Sequence, residues 1–130
     1  MKKSLKQTIK NIAKGVRSWA EDMHKKQPFH YTEDLCGLCA IASAKLHKEL
    51  KKQKIKSEIH FIDYHVFLMV DNYILDVTAT QFGYRNKIIF RRNKKNNPHC
   101  WNSSEVFQDT KELIMKQCKE GWPREQVARN

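Results

Sequence analysis

Cys39 is a candidate nucleophile because of its place at the predicted start of a helix. It follows Gly37 and Leu38 and precedes an alanine-rich stretch. Unpaired backbone N–H groups and the helix dipole stabilise an anion at such a position, which favours the reactive thiolate form of a cysteine. The same N–H groups can hold the oxyanion that develops on a substrate carbonyl. For Cys39 taken alone, the alternative interpretation is a small apolar packing residue.

His65 and Asp76 are predicted to meet on one face of a β-hairpin. The Asp-Asn pair at 71–72 has the residue types of a two-residue turn, which pairs Val70 with Tyr73. That register makes His65 and Asp76 diagonal neighbours with Cα atoms ~7–8 Å apart. Asp76 would then hold the His65 ring in one tautomer and leave its other nitrogen for a thiol. A structural His–Asp hydrogen bond is the alternative.

Hydrophobic periodicity predicts the elements that must position these residues. Apolar residues at three- and four-residue steps indicate a basic amphipathic helix within residues 1–27, and a second helix begins near Cys39 and ends near Lys52. We expect this second helix to pack on the sheet face that carries His65 and Asp76. The remaining predicted elements are strands over 55–63, 64–70, 73–77 and 87–91 and a C-terminal helix over 104–120.

Length and composition predict one domain over residues 1–130. With 130 residues, 40% of them hydrophobic, the chain can build one core and is too apolar to be disordered. No apolar run approaches the ~18 residues of a membrane span, and no apolar region of a secretory signal follows the basic N-terminus. The four cysteines are too few and too irregularly spaced for a disulfide framework. We therefore expect a soluble, cytoplasmic α+β protein with reduced thiols.

The net charge of +11 is concentrated in two segments. Residues 1–27 hold eight basic residues against Glu21 and Asp22, and residues 85–95 hold six basic residues and no acid. A surface of this kind favours an acidic partner or nucleic acid, and a solvated face is the plain alternative. No RNA-binding or helix-turn-helix signature accompanies the charges.

Two segments together resemble the transglutaminase-like branch of the papain-like cysteine enzymes, and they read CGLCAIAS at 36–43 and HVFLMVDNYILDVTATQF at 65–82. In that superfamily the chain order is Cys, His, Asp, with the Cys at the head of a helix and the other two on neighbouring strands. The resemblance covers about residues 35–83 and implies a papain-like α+β fold with N-terminal helices packed on a mainly antiparallel sheet. It also implies that Cys39 is the nucleophile, His65 the general base and acid, and Asp76 the orienting residue. Gln81 is a candidate oxyanion donor or substrate contact, and loop packing is an equal alternative for it.

The implied function is acyl transfer from an amide of a protein or peptide through a thioester on Cys39. Water as the acceptor gives hydrolysis or deamidation, and an amine gives transamidation. The motif does not distinguish these outcomes, because water and amine enter at the same step. The chemistry requires no metal or organic cofactor.

Three other interpretations of the sequence remain open. Cys36 and Cys39 have the spacing of a thiol oxidoreductase motif, although no hydrophobic strand precedes them. Together with His99 and Cys100 they supply four zinc ligand types, although adjacent His and Cys are poorly spaced for a tetrahedral site. Finally, the basic N-terminal helix would suit a nucleic-acid or partner-binding module on a catalytically inert scaffold.

Overall fold

The computed structural model describes residues 1–26 and 37–129. Within them, three α-helices accompany one antiparallel sheet of five strands, which confirms the predicted α+β class. The helices are α1 (Lys3–Lys25), α2 (Cys39–Lys52) and α3 (Thr110–Glu120). In chain order the strands are β1 (Glu58–Ile62), β2 (His65–Val70), β3 (Tyr73–Asp76), β4 (Ile89–Arg92) and β5 (Glu105–Phe107). Their order in the sheet is β4-β3-β2-β1-β5. No helix in the described ranges combines the length and hydropathy needed to cross a membrane.

The helices α1 and α2 cover the face of the sheet that is opposite to His65 and Asp76. Ile9 of α1 and Leu46 of α2 are buried in one cluster with Leu68 and Leu75 of the sheet. The expectation that α2 packs on the His65 and Asp76 face is therefore wrong. The helices cover the face on which the strands are continuously apolar, because that face offers the larger hydrophobic area.

The other face of the sheet holds a smaller core. Phe67, Met69 and Ile74 lie there in a cluster with Ile89 and Trp101. His65 and Asp76 belong to this face, and His65 stacks on Phe67 with ring centroids 5.8 Å apart. The candidate site therefore lies at an edge of this smaller core, where α2 meets it only through its first turn.

The hairpin between β2 and β3 has the predicted register. Asp71 and Asn72 have φ of 44° and 63°, the left-handed values of a type I′ turn, and Val70 pairs with Tyr73. Because side chains alternate along a strand, this register decides that His65 and Asp76 share a face.

A second tight turn corrects the predicted strand ends. Asp63 and Tyr64 have φ of 43° and 63°, and Ile62 pairs with His65. The predictions that residue 63 ends one strand and residue 64 begins the next are therefore wrong. Tyrosine is a rare choice at positive φ, so residue type did not reveal this turn.

The predicted helix over 104–120 divides into a strand and a helix. Residues Glu105–Phe107 form β5, which pairs with β1. The helix α3 begins only at Thr110, where the Asp109 side chain accepts a hydrogen bond from the Glu112 N–H. Asp109 is therefore the N-cap of α3. The strand β5 has three residues, which is too short for a hydrophobic periodicity to reveal it in the sequence. The predicted end at Gly121 is confirmed by its φ of 73°.

Four smaller boundaries also differ from their predictions. The strand β3 ends at Asp76 rather than at residue 77. The strand β1 begins at Glu58 rather than at residue 55, because the turn that follows α2 extends further than expected. The strand β4 spans Ile89–Arg92 rather than 87–91. The helix α1 ends at Lys25, and residue 27 of its predicted range lies outside the described residues.

Candidate active site

Cys39 lies at the first position of α2, as predicted, and meets the tight turn that precedes His65. Its Sγ donates a hydrogen bond to the Tyr64 carbonyl at 3.4 Å. The side chain is buried. The preceding Gly37 has a φ of 87°, and a Cβ at that position would lie 2.6 Å from Gln126 Nε2. The positive φ favours glycine at this position, and the end of the Gln126 side chain occupies the space that a Cβ would fill.

His65 is fixed between Asp76 and two aromatic rings. Its Nε2 donates to Asp76 Oδ2 at 2.7 Å, and both side chains are almost completely buried. Phe82 meets the imidazole edge-on at 4.7 Å, on a ring already stacked against Phe67. Because Asp76 engages Nε2, the nitrogen available to the Cys39 sulfur is Nδ1.

Asp76 receives hydrogen bonds from two further residues. Trp101 Nε1 donates to Oδ2 at 2.8 Å, and the Thr78 backbone N–H donates to Oδ1 at 2.8 Å. The Thr78 hydroxyl adds a longer bond of 3.3 Å to Oδ1. Burial raises the pKa of Asp76, but the His65 charge and these donors outweigh it and hold the pKa below its usual value. The carboxylate is therefore ionised in spite of its burial.

The imidazole of His65 is held in its charged form. Burial lowers the pKa of His65, but the charge and hydrogen bond of Asp76 and a contribution from Cys39 raise it to about 10. An imidazolium at neutral pH can stabilise a neighbouring thiolate and can donate a proton to a leaving group.

Gln81 lies beside the nitrogen of His65 that Asp76 leaves free. It belongs to a 3-10 helix, Ala79–Phe82, that follows β3. Its Nε2 lies 3.5 Å from His65 Nδ1 and donates to Thr78 Oγ1 at 3.2 Å. The structure therefore brings all four predicted site residues together, with the Gln81 amide beside the Nδ1 atom of the imidazole.

Arg17 of α1 supports the segment that carries Gln81, and sequence reasoning missed this role. Its Nη1 donates to the Val77 carbonyl at 2.8 Å and to Thr80 Oγ1 at 2.9 Å, and its Nε pairs with Glu21 at 2.8 Å. The side chain is buried. A signal existed in the sequence, since Arg17 follows Val16 on the apolar side of an otherwise regular amphipathic helix.

Trp101 is a second residue whose role the sequence analysis missed. Its ring is buried in the smaller core, packs against Tyr84 and carries the Arg91 guanidinium at 4.4 Å from its centroid. Its indole N–H binds Asp76 across 25 residues of chain. A lone tryptophan in a polar, turn-rich segment gives no sequence signal of that contact.

A cleft of about 370 Å³ opens at Cys39 and His65. Tyr64 stands on one side of it, with 66% of its surface exposed, and Phe82 is 47% exposed on another. The segment after α3 supplies the remaining wall, which includes Trp122. Among the described residues, the lining of the cleft includes two carboxylates and no lysine or arginine. The thiol of Cys39 therefore lies at the bottom of a cleft with aromatic walls.

The described residues offer little support for a metal site or a redox site. No group of three or more His, Cys, Asp or Glu residues that could hold a metal occurs in residues 1–26 and 37–129. His99 pairs instead with Asp63, Nε2 to Oδ2 at 2.5 Å. Cys36, on which the zinc and oxidoreductase readings both depend, lies outside the described residues.

Comparisons of the chain with protein-family models, with curated proteins and with solved structures found no match. The resemblance of residues 35–83 to the transglutaminase-like enzymes therefore stays a prediction.

Proposed function

We propose that this chain is a cysteine-dependent acyl-transfer enzyme with a papain-like, transglutaminase-like architecture. One observation carries the proposal. Buried Asp76 engages Nε2 of His65 at 2.7 Å, while the other side of the imidazole meets Cys39 at an open cleft. A purely structural His–Asp pair needs neither a thiol nor solvent access at the second nitrogen.

The first half of the reaction forms a thioester. It starts from the thiolate–imidazolium pair, in which the proton of Cys39 is already on His65 Nδ1, and the thiolate sulfur attacks the carbonyl carbon of the amide. The tetrahedral intermediate collapses when the C–N bond breaks, and His65 Nδ1 returns its proton to the departing amine. Asp76 keeps the imidazolium oriented throughout and remains ionised.

The second half of the reaction transfers the acyl group. His65 Nδ1 removes a proton from water or from an amine, and the acceptor attacks the thioester carbonyl. The C–S bond then breaks, and the sulfur leaves as the thiolate paired with the imidazolium. Water completes a hydrolysis or deamidation, and an amine completes a transamidation.

Two donors are suited to stabilise the oxyanion of both tetrahedral intermediates. The Gln81 side-chain amide lies at the reacting side of His65, at 3.5 Å from Nδ1. The backbone N–H of Cys39 is at the first position of α2, where helix N–H groups have no intrahelical acceptor. Preorganised donors of this kind contribute about 10²–10³ in rate.

The lining of the cleft supports a neutral or cationic segment of protein or peptide as the substrate. Tyr64, Phe82 and Trp122 offer aromatic contacts on different sides of the thiol. Among the described residues, the lining has no lysine or arginine that would pair with an acidic side chain at the cleft itself. The preference for an acidic partner suggested by the net charge therefore belongs to another part of the surface.

Trapping of the acyl-enzyme tests the proposal. The protein is incubated with a p-nitrophenyl ester, and the adduct is located by peptide mass spectrometry, with and without hydroxylamine, which cleaves thioesters. We expect a hydroxylamine-sensitive adduct on Cys39 that disappears in Cys39→Ser and forms much more slowly in His65→Ala. Adding a primary amine shows whether the acyl group goes to amine or to water.

The competing interpretations give different results in the same experiment. Cys36→Ser leaves the adduct on Cys39 unchanged if the site is the acyl-transfer centre proposed here. Loss of the adduct in Cys36→Ser, or wild-type acylation at Cys100 and Cys118 at the same rate as at Cys39, contradicts the proposal. An inert scaffold gives no adduct on Cys39 at any pH.

A further inference from the structure

The two basic segments of the sequence converge on one side of the fold. The helix α1 lies beside β4, which is an edge strand of the sheet. Lys6 Nζ of α1 lies 5.1 Å from the centroid of the Tyr73 ring, and the Arg92 guanidinium of β4 lies 5.8 Å from the same centroid. Basic residues of α1 and of β4 therefore lie side by side on this part of the surface.

A groove of about 380 Å³ runs between α1 and β4. The wall that α1 forms consists of exposed Lys10 and Lys14. The wall on the β4 side includes Ile88, Phe90 and Arg91. Lys6, Lys10 and Lys14 are spaced by four residues, so their positions advance by ~6 Å along the helix axis. We call this groove, together with the adjoining cations Lys6 and Arg92 beside Tyr73, the basic groove.

The charges of the helical wall are not neutralised within the described part of the protein. Glu21 pairs with Arg17 and with Lys87, and no carboxylate of the described residues pairs with Lys6, Lys10 or Lys14. Hydrogen bonds from Arg92 and Lys6 lower the pKa of Tyr73, as expected for a phenol beside two cations. An anionic ligand would supply the missing counter-charge.

Aromatic rings accompany these cations. The rings of Tyr73 and Phe90 lie 5.2 Å apart at an angle of 47°, and both residues are partly exposed. Grooves for single-stranded nucleic acid share two features. Cations follow the backbone of the nucleic acid, and aromatic faces stack against its bases.

We propose that the basic groove binds single-stranded nucleic acid, with its phosphates on the lysines of α1 and its bases against Phe90 and Tyr73. An acidic peptide would use the cations but leave the rings without a matching partner. A membrane surface fits less well, because the apolar side of α1, which includes Ile9 and Val16, is buried in the core. The groove shares no lining residue with the cleft at Cys39. Binding at the basic groove can therefore be tested independently of the acyl-transfer reaction.

Fluorescence anisotropy with a labelled oligothymidine of about 20 nucleotides tests the proposal over a range of salt concentrations. Each phosphate contact contributes a slope of about −0.7 in log K against log salt for single strands. The triple variant Lys6→Gln, Lys10→Gln, Lys14→Gln should therefore lose about 2 from the slope and about a hundredfold in affinity at ~0.1 M salt. Phe90→Leu, which keeps an apolar side chain in the core, should weaken binding about fivefold or more by removing a stacking face.

A matched control removes the same charge from another surface. Lys56→Gln, Lys111→Gln, Lys119→Gln alters three exposed lysines outside the groove and should bind the oligonucleotide within about threefold of the wild type. Melting temperatures of all variants exclude unfolding as the cause of a loss. Equal losses in the two triple variants would overturn the proposal, since net charge alone would then explain binding. Tighter binding of polyglutamate or of duplex DNA than of the single strand would overturn it as well.

Discussion

His65 Nε2 and Asp76 Oδ2 lie 2.7 Å apart across the β2–β3 hairpin, in a part of the protein that water hardly reaches. The carboxylate is itself held by Trp101 and Thr78. The imidazole therefore has one permitted orientation, in which its second nitrogen faces the start of α2. The chemistry proposed at Cys39 depends on that orientation, so each contact around Asp76 has a measurable consequence.

Trp101→Phe isolates the contribution of one donor to Asp76. The variant keeps the ring against Tyr84 and Arg91 but loses the indole N–H that binds Oδ2 at 2.8 Å. We expect the free energy of unfolding, measured in urea, to fall by about 1–3 kcal/mol. The acylation rate of Cys39 should fall about tenfold, which corresponds to ~1.4 kcal/mol of transition-state stabilisation.

Trp122→Phe is the matched control for stability. The indole N–H of Trp122 donates to the exposed carboxylate of Glu120 at 3.0 Å, so water can replace it. The free energy of unfolding should change much less than in Trp101→Phe. Equal destabilisation in the two variants would contradict the role given to the buried hydrogen bond.

Gln81→Ala tests whether the amide stabilises the oxyanion or only packs the loop. We expect the rate of acylation to fall about a hundredfold, with an unchanged KM for a small ester. The melting temperature should stay close to that of the wild type, because Gln81 is partly exposed. Gln126→Ala, on the opposite side of the cleft, is the control and should keep most of the rate. A lower melting temperature with an unchanged rate would assign Gln81 to loop packing instead.

Arg17→Met should destabilise the protein by about 2–4 kcal/mol. The substitution leaves the Val77 carbonyl and the Thr80 hydroxyl without the guanidinium that binds them at 2.8 and 2.9 Å. Lys14→Met, at an exposed position of the same helix, should change the free energy of unfolding by less than about 0.5 kcal/mol. Similar values for the two variants, measured by urea denaturation, would show that Arg17 does not hold this segment.

The raised pKa of His65 makes a prediction about stability against pH. The folded protein holds this proton up to a pKa of about 10, whereas the unfolded chain releases it near ~6.5. The folded state therefore binds more protons between these values, so its stability should decrease as pH rises from about 7 to about 10. The slope cannot exceed about 1.4 kcal/mol per pH unit for one group. His65→Gln should lack this component, and parallel curves for the two proteins would refute it.

At acid pH, the dependence of stability on pH has the opposite sign. The lowered pKa of Asp76 adds stability that is present above its usual value and is lost as pH falls through the folded value. Asp76→Asn, which cannot titrate, should lose less of its stability on acidification than the wild type does in the same urea experiments.

Local patterns explain how much of the site was predictable. The Asp-Asn turn at 71–72 and strict alternation along β2 and β3 determine which side chains share a face, so the meeting of His65 and Asp76 follows from neighbouring residues. The position of Cys39 at the head of α2 follows from equally local signals. In both cases, the residues that determine the structure lie close together in the sequence.

Contacts between distant segments were beyond those patterns. Both faces of the hairpin carry apolar residues, so the strands alone did not show which face α2 would cover. Trp101 reaches Asp76, and Arg17 reaches Val77 across 60 residues, through packing that no periodicity encodes. The turn at Asp63 and Tyr64 runs against residue preference, because tyrosine rarely adopts positive φ.

Alkylation of each cysteine by iodoacetamide, followed by mass spectrometry across a range of pH, tests the central claim most directly. We expect Cys39 to react fastest at about pH 6, where an ordinary thiol is almost entirely protonated, because the His65 imidazolium stabilises its thiolate. Cys100, whose pKa is raised by burial and by Asp76, should be slow at that pH, and exposed Cys118 serves as the reference thiol. In His65→Ala the advantage of Cys39 should disappear. Reactivity of Cys39 that is no greater than that of Cys118 at pH ~6, or that is unchanged in His65→Ala, would contradict the thiolate–imidazolium pair.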